Sequence, residues 1–414
     1  MTDTSSTGRQ KLLKTRHRRE RLFHGAGIGA ILLAIVFLGT LLVSIGSSGY
    51  SAFQQTRVQL DVVLPEDGTK ANWPGLVKRT LRAAFPEVKN RRDKKQLYRL
   101  VSSGAAWEIR QHAQAHPDQA GQKVSVWVTA SDDIDMLTKG KVSVDAPIEV
   151  RRLSDKQISW VQQLTNAGKL EKQLNTNFLF NGDSREPEVS GIGAAMAGSF
   201  FSLLVCLILA FPLGVMAAIY LEEFAPRTRL TSLIEVNINN LAAVPSIVFG
   251  LLGLAIFLNF FELPRSAPLV GGMVLALMTL PTIIITGRAS LKAVPPSIRE
   301  AALAIGASKV QSVFHHVLPL AMPGVLTGTI IGMARAVGET APLLMIGMVA
   351  FVVDIPKGIL DPATALPVQI FLWADAPERA FEERTAATII VLLLFLMAMN
   401  LIAVILRRKF EVRW

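Results

Sequence analysis

The chain has 414 residues, of which 50% are hydrophobic and 18% charged, and its mean hydropathy is +0.39. These values are too apolar for a soluble protein of ordinary charge, so they exclude that class and predict several membrane spans. The net charge of +11 does not indicate a nucleic-acid partner, because the basic residues form separate groups between apolar runs. Cys206 is the single cysteine, so we expect no intrachain disulfide.

Six apolar stretches are long enough to cross a hydrocarbon core of about 30 Å. The first is not a cleaved signal peptide, because its apolar region is too long and no small-residue cleavage site follows at once. We therefore predict an all-α, multi-pass membrane protein with six transmembrane helices, at 25–45, 192–220, 238–260, 269–287, 324–349 and 385–406.

Lysine and arginine residues set the predicted orientation of these spans. The segment 1–24 is strongly basic, and lysines or arginines also occur in the loops at 221–237 and 288–323 and in the C-terminal tail. The loops at 261–268 and 350–384 are poorer in basic residues for their length. By the positive-inside rule, we expect both termini to lie in the cytoplasm.

A polar segment of about 145 residues separates the first two spans, and this topology places it in the periplasm. Alternating residues predict strands at 57–64 and 123–130, while 91–112 and 155–173 are typical of helices. We predict a small α+β periplasmic domain over 46–191. Two roles remain open for it, a structural or partner-contacting module and a ligand-sensing domain.

The longest cytoplasmic loop, 288–323, predicts a docking element that binds another protein. Two short helical segments meet at Gly306, where a residue without Cβ allows a sharp turn. Pro319 is expected to prevent a straight helical continuation into the next span. Small residues at 301, 302, 304 and 307 leave a low-profile helix that fits a groove in a partner.

This loop resembles the EAA loop of ABC importer permeases. The resemblance is carried by one spaced set of residues: Glu300, Ala301, Ala302, Gly306, Leu318 and Pro319. It implies that the loop docks into a separate ATPase subunit and transmits its closure to the membrane helices. His316 departs from the family pattern, which has an apolar residue there. His315 and His316 point about 100° apart on a helix and predict no shared metal site.

The fifth span carries two charges, Arg335 and Glu339, within the run GMARAVGETAPLL. A charge inside the bilayer costs several kcal/mol unless it is paired or faces water, so its presence indicates function. Arg335 is about 17 Å along the helix from Gly324, near the predicted midplane, and Glu339 follows one turn further outward. Gly338 and Pro342 nearby permit an irregular backbone, as is common at transport sites.

The chemistry of this pair suits inorganic phosphate. A guanidinium group matches two phosphate oxygens, and the carboxylate of Glu339 can accept the proton of hydrogen phosphate. Fully ionised sulfate has no such proton and would leave a buried acceptor unpaired, at a cost of roughly 1–3 kcal/mol. The alternative is that Arg335 and Glu339 only neutralise each other and fasten helices together.

The segments 218–226, 236–254 and 334–344 are similar to the PstA-type subunit of phosphate-specific transport permeases. The resemblance covers roughly 190–414 and implies an ABC permease core over 192–414, with Arg335, Glu339 and Thr340 on the substrate path. It implies a location in the bacterial inner membrane. It also implies three kinds of partner: a homologous PstC-type permease, a PstB-type ATPase dimer and a PstS-type periplasmic phosphate-binding protein. The first span and the 46–191 domain look like an extension that only some members have.

The chain lacks the GxxxxGK[ST] phosphate-binding run, so we expect it to be no enzyme and to bind no cofactor, while the partner ATPase uses ATP. The favoured function is the permease subunit of an ATP-driven phosphate importer. The alternatives are a permease for another oxyanion or small solute, and a membrane sensor with a periplasmic ligand domain. Glu222 and Glu223, at the inner end of the second span, either contact basic groups nearby or form a solvated helix end.

Overall fold

The computed structural model describes residues 4–66, 71–145 and 147–410. A three-stranded sheet is formed by β1 (Gln54–Val63), β2 (Lys123–Thr129) and β3 (Leu170–Leu174). The helices of the first half are α1 (Thr4–Gly49), α2 (Trp73–Ala84), α3 (Arg91–Leu97), α4 (Ala105–Ala115), α5 (Asp132–Thr138), α6 (Ile148–Arg151), α7 (Asp155–Asn166) and α8 (Thr176–Phe180). Those of the second half are α9 (Gly193–Ile219), α10 (Arg229–Ala242), α11 (Ser246–Gly253), α12 (Pro268–Ala293), α13 (Pro296–Ala304), α14 (Lys309–Ser312), α15 (Leu318–Gly338), α16 (Ala341–Met345), α17 (Leu366–Ala374) and α18 (Arg379–Phe410).

Five helices in the described part of the chain are long and apolar enough to cross a membrane, and a bent pair makes a sixth candidate. The bent pair corrects our expectation of a regular span at 238–260. Helices α10 and α11 meet there at an angle of 101°. Pro245 explains the break, because proline has no N–H and disfavours a helical conformation for the residue before it.

The fifth span also differs from the prediction of 324–349. A continuous helix runs from Lys309 to Gly338, so it begins earlier and ends earlier than expected. Pro319 does not interrupt it, because a π-helical segment, Val313–Val317, widens the turn just before α15 and Pro319 falls in the first turn of α15. The helix ends at Gly338, and Glu339 has an extended backbone with ψ of 121°.

Helix α12 lies at the centre of the membrane unit and packs closely against α9 and α15. The approach to α9 requires glycine at position 272, where a Cβ atom would lie 2.6 Å from the carbonyl oxygen of Ser202 and 2.5 Å from Cβ of Val205. Small residues of this kind let membrane helices approach closely in the absence of a hydrophobic driving force.

The domain between α1 and α9 is a small α+β unit, as predicted. Its sheet has the order β2-β1-β3, and both pairs of strands are antiparallel. One face of β1 is buried through Val58, Leu60 and Val62, and helices α2, α4 and α7 contribute to the same core. The helix expected at 155–173 was wrong in its last part, because Gly168 has φ of +69° and the next residues form β3.

Buried charges join this domain to the membrane unit. The ammonium of Lys139 lies 2.7 Å from Asp135 in the domain and 2.8 Å from Glu383 in α18. Beside them, the guanidinium of Arg384 donates to the carbonyl oxygen of Ser190. Because all three side chains of the Lys139 group are at most 10% exposed, the domain is held to α18 by a desolvated ion network rather than by a flexible tether.

Candidate functional site

The predicted substrate-path residues lie together where α15 ends. Nε of Arg335 is 3.3 Å from Oε1 of Glu339. The side chain of Arg335 is 48% exposed, although its neighbour Ala336 is buried against the core. Within the described residues Arg335 makes no other hydrogen bond, so its two terminal nitrogens are available to a ligand.

The depth of Arg335 follows from the packing of α15 against α12. The two helices are antiparallel, since Gly324 contacts Ser290 and Gly332 contacts Thr279. One turn beyond Gly332, Arg335 is therefore opposite the residues near Ala276. That level is about 7 Å from the middle of α12 at 1.5 Å per residue. The pairing of α15 with α12 supports the prediction that Arg335 lies near the middle of the membrane, which remains a prediction.

The backbone after Arg335 is irregular, as Gly338 and Pro342 led us to expect. Glu339 caps α15 instead of continuing it, so the pair spans a helix end rather than one helical turn. Thr340 follows, half-buried, and α16 then packs on α11. A Cβ atom on Gly250 of α11 would lie 2.7 Å from Cα of Pro342, so the two short helices cross at close range and hold the break in place.

The predicted docking loop has the expected two helices, α13 and α14. Gly306 separates them with φ of +90°, a conformation that favours glycine. Glu300 and Ala301 are exposed, whereas Ala302 is buried, and Leu318 and Pro319 lie at the start of α15. The six predicted loop residues are therefore not one surface, because Ala302 packs inward and only its neighbours face out.

Large apolar side chains are exposed around Gly306. They are Leu303, Ile305, Val310 and Phe314, and Ile305 is 81% exposed. A cluster of this kind beside polar residues is typical of a protein-binding surface. His315 and His316 are also exposed, as expected. No group of three metal-ligating side chains occurs in the described ranges.

Arg299 anchors the loop, and we did not predict this role. Its Nε and Nη2 bind the carboxylate of Glu223 at 2.5 to 3.2 Å. Its Nη1 and Nη2 also donate to the carbonyl oxygens of Val294 and Leu291, each at 2.8 Å. A bidentate pair with two further bonds holds α13 to the ends of α9 and α12, so movement of the loop moves both helices.

Glu222 forms a second link of the same kind. Nε of Arg288 lies 3.4 Å from Glu222, and its Nη2 lies 2.8 Å from Glu235 in α10. These residues line a polar cleft of about 630 Å³ between α10 and α12. Of the two interpretations left open for Glu222 and Glu223, the structure shows contact with basic groups, but the partners are Arg288 and Arg299 rather than the arginines of the adjacent loop. In the sequence both arginines belong to the predicted loop at 288–323, two spans later.

Comparison with protein families matches residues 210–413 to the family described as "Binding-protein-dependent transport system inner membrane component". Residues 10–148 match a "Domain of unknown function (DUF3333)". The second match includes the basic N-terminus, α1 and much of the inserted domain.

Several curated permeases are similar to the C-terminal half. The "Phosphate transport system permease protein PstA 1" of Mycobacterium tuberculosis is 32% identical over 223 residues, covering 54% of this chain and 72% of that protein. PstA of Yersinia pestis is 33% identical over 221 residues, covering 53% and 73%. The "Probable ABC transporter permease protein YqgI" of Bacillus subtilis is 30% identical over 211 residues, covering 48% and 71%.

Among solved structures, a chain of the inward-facing MetNI methionine ABC transporter is similar, with 17% identity and a TM-score of 0.42. The match covers 53% of this chain and 94% of that chain. At this distance the assignment rests on the sequence relatives.

Proposed function

Because this chain belongs to the binding-protein-dependent transport system inner membrane components, and among them to the PstA-type permeases, we propose that it translocates inorganic phosphate. It is the membrane-spanning permease subunit of an ABC importer, and its relatives are transport subunits rather than enzymes. Phosphate as the cargo of this chain is our proposal.

The observation that carries the proposal is the half-exposed ion pair at the end of α15. Its neighbours Ala336 and Val337 are buried in the chain's own core, whereas Arg335 points away from that core. If the pair only fastened helices within this chain, both side chains would be buried between them. An exposed arginine at this depth fits a path between two permease subunits, because it needs water, a ligand or a partner charge.

Phosphate suits the two groups better than sulfate does. The terminal nitrogens of Arg335 can bind two oxygens of the anion. The carboxylate of Glu339 can then move away from Nε of Arg335 and accept the hydrogen bond of hydrogen phosphate. Arg335 keeps its charge throughout, since guanidinium does not deprotonate at physiological pH. Thr340 supplies a hydroxyl next to Glu339. Sulfate offers no proton, so it would meet the carboxylate as a like charge.

Coupling to ATP is proposed to act through the loop from Glu300 to Pro319. The exposed apolar residues around Gly306 would bind a PstB-type ATPase, and the Arg299–Glu223 pair would carry the movement to α9. A PstC-type permease would complete the path, and a PstS-type protein would deliver phosphate. Membership of this permease family supports these general kinds of partner: a second permease, an ATPase and a binding protein. This chain would use no cofactor of its own.

We further propose that both termini are cytoplasmic, so that the 46–191 domain is periplasmic. The membrane location follows from the family and the apolar helices. The orientation is supported by the basic residues of 1–24 and of the docking loop.

The experiment is phosphate and sulfate uptake by membrane vesicles that contain the whole transporter with Glu339→Gln. The carbonyl oxygen of an amide accepts the O–H of hydrogen phosphate more weakly than a carboxylate does, and the amide N–H groups do not favour hydrogen phosphate over sulfate, so we expect phosphate uptake to fall by about tenfold or more. Sulfate should compete better than it does in the wild type. Glu262→Gln, in the exposed loop after α11, is the matched control and should leave uptake unchanged.

Unchanged phosphate uptake and selectivity in Glu339→Gln would contradict the proposal. Preferred uptake of sulfate, molybdate or arsenate by the wild-type transporter would instead identify a permease for another oxyanion.

A further inference from the structure

Helix α3 and its neighbours carry a run of exposed cations that the transport function does not use. Positions 89–99 contain six lysines and arginines and one acidic residue. That residue, Asp93, is bound to Lys156 at 2.7 Å. Five of the cations are exposed and form no ion pair with any described residue: Lys89, Arg91, Arg92, Lys95 and Arg99. We call these five residues the α3 cluster.

The α3 cluster lies at the end of the domain where β1 begins. The carbonyl oxygen of Leu100, one residue after the cluster, accepts the N–H of Ser131 at 3.2 Å. The neighbouring Ala130 donates to the carbonyl oxygen of Thr56, the third residue of β1, at 3.0 Å. The side chain of Gln96, next to Lys95 of the cluster, accepts a hydrogen bond from the hydroxyl of Ser154 at the start of α7.

This end of the domain is close to the membrane surface. Gly49, the last residue of α1, packs on Ala387 of α18, where a Cβ atom would lie 2.6 Å from the backbone nitrogen. Glu383 is one helical turn, about 6 Å, before Ala387. Lys139 joins it to Asp135, which in turn accepts the N–H of Thr56 at 2.8 Å.

A chain of direct contacts therefore joins the C-terminal end of the α3 cluster to Glu383, which lies just before the apolar run of α18. The headgroup layer that α18 crosses at this level is roughly 5–8 Å thick. The Debye length at physiological ionic strength is about 8 Å. Long, flexible lysine and arginine side chains reach further still. The headgroups are thus within contact or short electrostatic range of the cluster.

We propose that the α3 cluster binds the phosphate groups of anionic phospholipids in the leaflet that faces this domain. Arginine forks and lysine ammonium groups bind phosphate oxygens with charge-assisted hydrogen bonds. The bound headgroups would give the domain a second attachment to the membrane, in addition to the Lys139 ion network that holds it to α18. This gives the basic character of the domain a function that is separate from phosphate transport.

A lipid fits the cluster better than an acidic protein does. Protein interfaces have an apolar centre from which charges are depleted. Among residues 89–99 the large aliphatic side chain, Leu97, is fully buried in the domain core, so the exposed side chains of this segment are the five cations and the polar Asn90. Such a surface is complementary to a layer of mobile phosphate groups, and several basic residues act on it together.

The test measures the acetylation rates of single lysines in the full-length chain in nanodiscs. One set contains phosphatidylcholine only, and the other contains phosphatidylcholine with phosphatidylglycerol. We expect phosphatidylglycerol to slow the reaction of Lys89 and Lys95 by about fivefold, and high salt to restore it. Lys123 is the internal control, because it is exposed and pairs with Val63 at the far end of β1.

A variant that removes two positive charges from the cluster then tests whether the cluster causes the protection of the lysines. Arg91→Gln/Arg92→Gln keeps both reporter lysines and should abolish most of the protection of Lys95. Arg110→Gln, an exposed arginine on α4 near Glu66, is the control and should preserve it.

Three results would overturn the proposal. The first is equal rates for Lys89 and Lys95 in both lipids, and the second is an equal slowing of Lys123. The third is protection that an added acidic protein provides and phosphatidylglycerol does not.

Discussion

Single ionisable side chains near the base of the inserted domain are held in unusual environments. Glu188 is 3% exposed, and its Oε2 has no hydrogen-bond partner among the described residues. Burial raises the pKa of Glu188 to about 7, and the nearby charge of Asp132 acts in the same direction as burial on the pKa of both Glu188 and Asp133. Burial likewise raises the pKa of Asp133 to about 6. These carboxyl groups favour the protonated form in the folded state.

We predict that the stability of the domain falls as the pH rises from about 4.5 to 7. In this window folded Glu188 keeps a proton that the unfolded chain releases, so the pKa shift corresponds to roughly 3 kcal/mol lost across it. Glu188→Gln should remove this loss and raise the melting temperature at pH 8 by roughly 6–12 °C, at 2–4 °C per kcal/mol, with little change at pH 4.5. Thermal unfolding followed by tryptophan fluorescence measures this, because Trp73, Trp107, Trp127 and Trp160 lie in the domain.

Glu186→Gln is the control, since that side chain is exposed two residues away. Parallel melting of wild type and Glu188→Gln from pH 4.5 to 8 would show that Glu188 ionises normally.

Helices and loops determine how the chain can move. The docking loop is formed by two helices whose angle depends on the positive φ of Gly306. Arg299 fixes the first of them to the membrane helices through Glu223. The second continues into α15 through the π-helical segment Val313–Val317, so the loop is connected without a break to the helix that carries Arg335. A push on the loop would therefore reach the charge pair along one helix.

We predict that Gly306→Ala weakens binding of the ATPase subunit. A Cβ atom at φ of +90° costs about 1–2 kcal/mol and re-orients α13 relative to α14. The amount of ATPase that co-purifies with the transporter should fall by about tenfold. Gly306→Asn should lose less, because asparagine tolerates a left-handed conformation better than alanine does.

Gly140→Ala is the matched control, since Gly140 has φ of +75° in the inserted domain, away from the loop. Equal co-purification for Gly306→Ala and the wild type would mean that this turn does not set the docking surface.

Across the whole molecule, the inserted domain and the membrane unit form one assembly through the ion network around Lys139. The network includes groups from the domain, from the segment before α9 and from α18. Trp373 of α17 adds a hydrogen bond to Asp183 at 3.1 Å. The position of the domain is thus coupled to the last two helices of the permease.

We predict that Lys139→Met destabilises this arrangement by about 3–5 kcal/mol, because it removes the ammonium group that neutralises the two buried carboxylates of Asp135 and Glu383. Lys139→Met/Glu383→Gln should recover part of the loss, since one of those charges is then absent. Limited proteolysis of the segment before α9 measures release of the domain from the core. Lys141→Met is the control, because Lys141 is exposed and makes one weak bond at 3.4 Å to Ser47.

A loss for Lys139→Met that is no larger than for Lys141→Met would contradict a buried network. Equal losses for the single and double variants would show that Glu383 does not share the ammonium.

Patterns in the amino-acid order were enough to predict the number of apolar spans, the inserted α+β domain with its strands at β1 and β2, and the docking turn at Gly306. They suffice because burial in lipid, alternation in a strand and a positive φ each depend on residues close together in the chain. The substrate-path roles of Arg335, Glu339 and Thr340, and the two orientations of the termini, were also read from the sequence and remain predictions.

Only the three-dimensional structure revealed the angle of the bend before α11 and the contacts of Arg299 and Lys139. The partners of Arg299 and Lys139 are far away in sequence, at Glu223 and Glu383. A charged residue beside an apolar run has the same local pattern whether it is solvated or paired, so which of the two occurs depends on helices brought together by the fold. For this physical reason, the link between the inserted domain and the permease could not be predicted from the sequence.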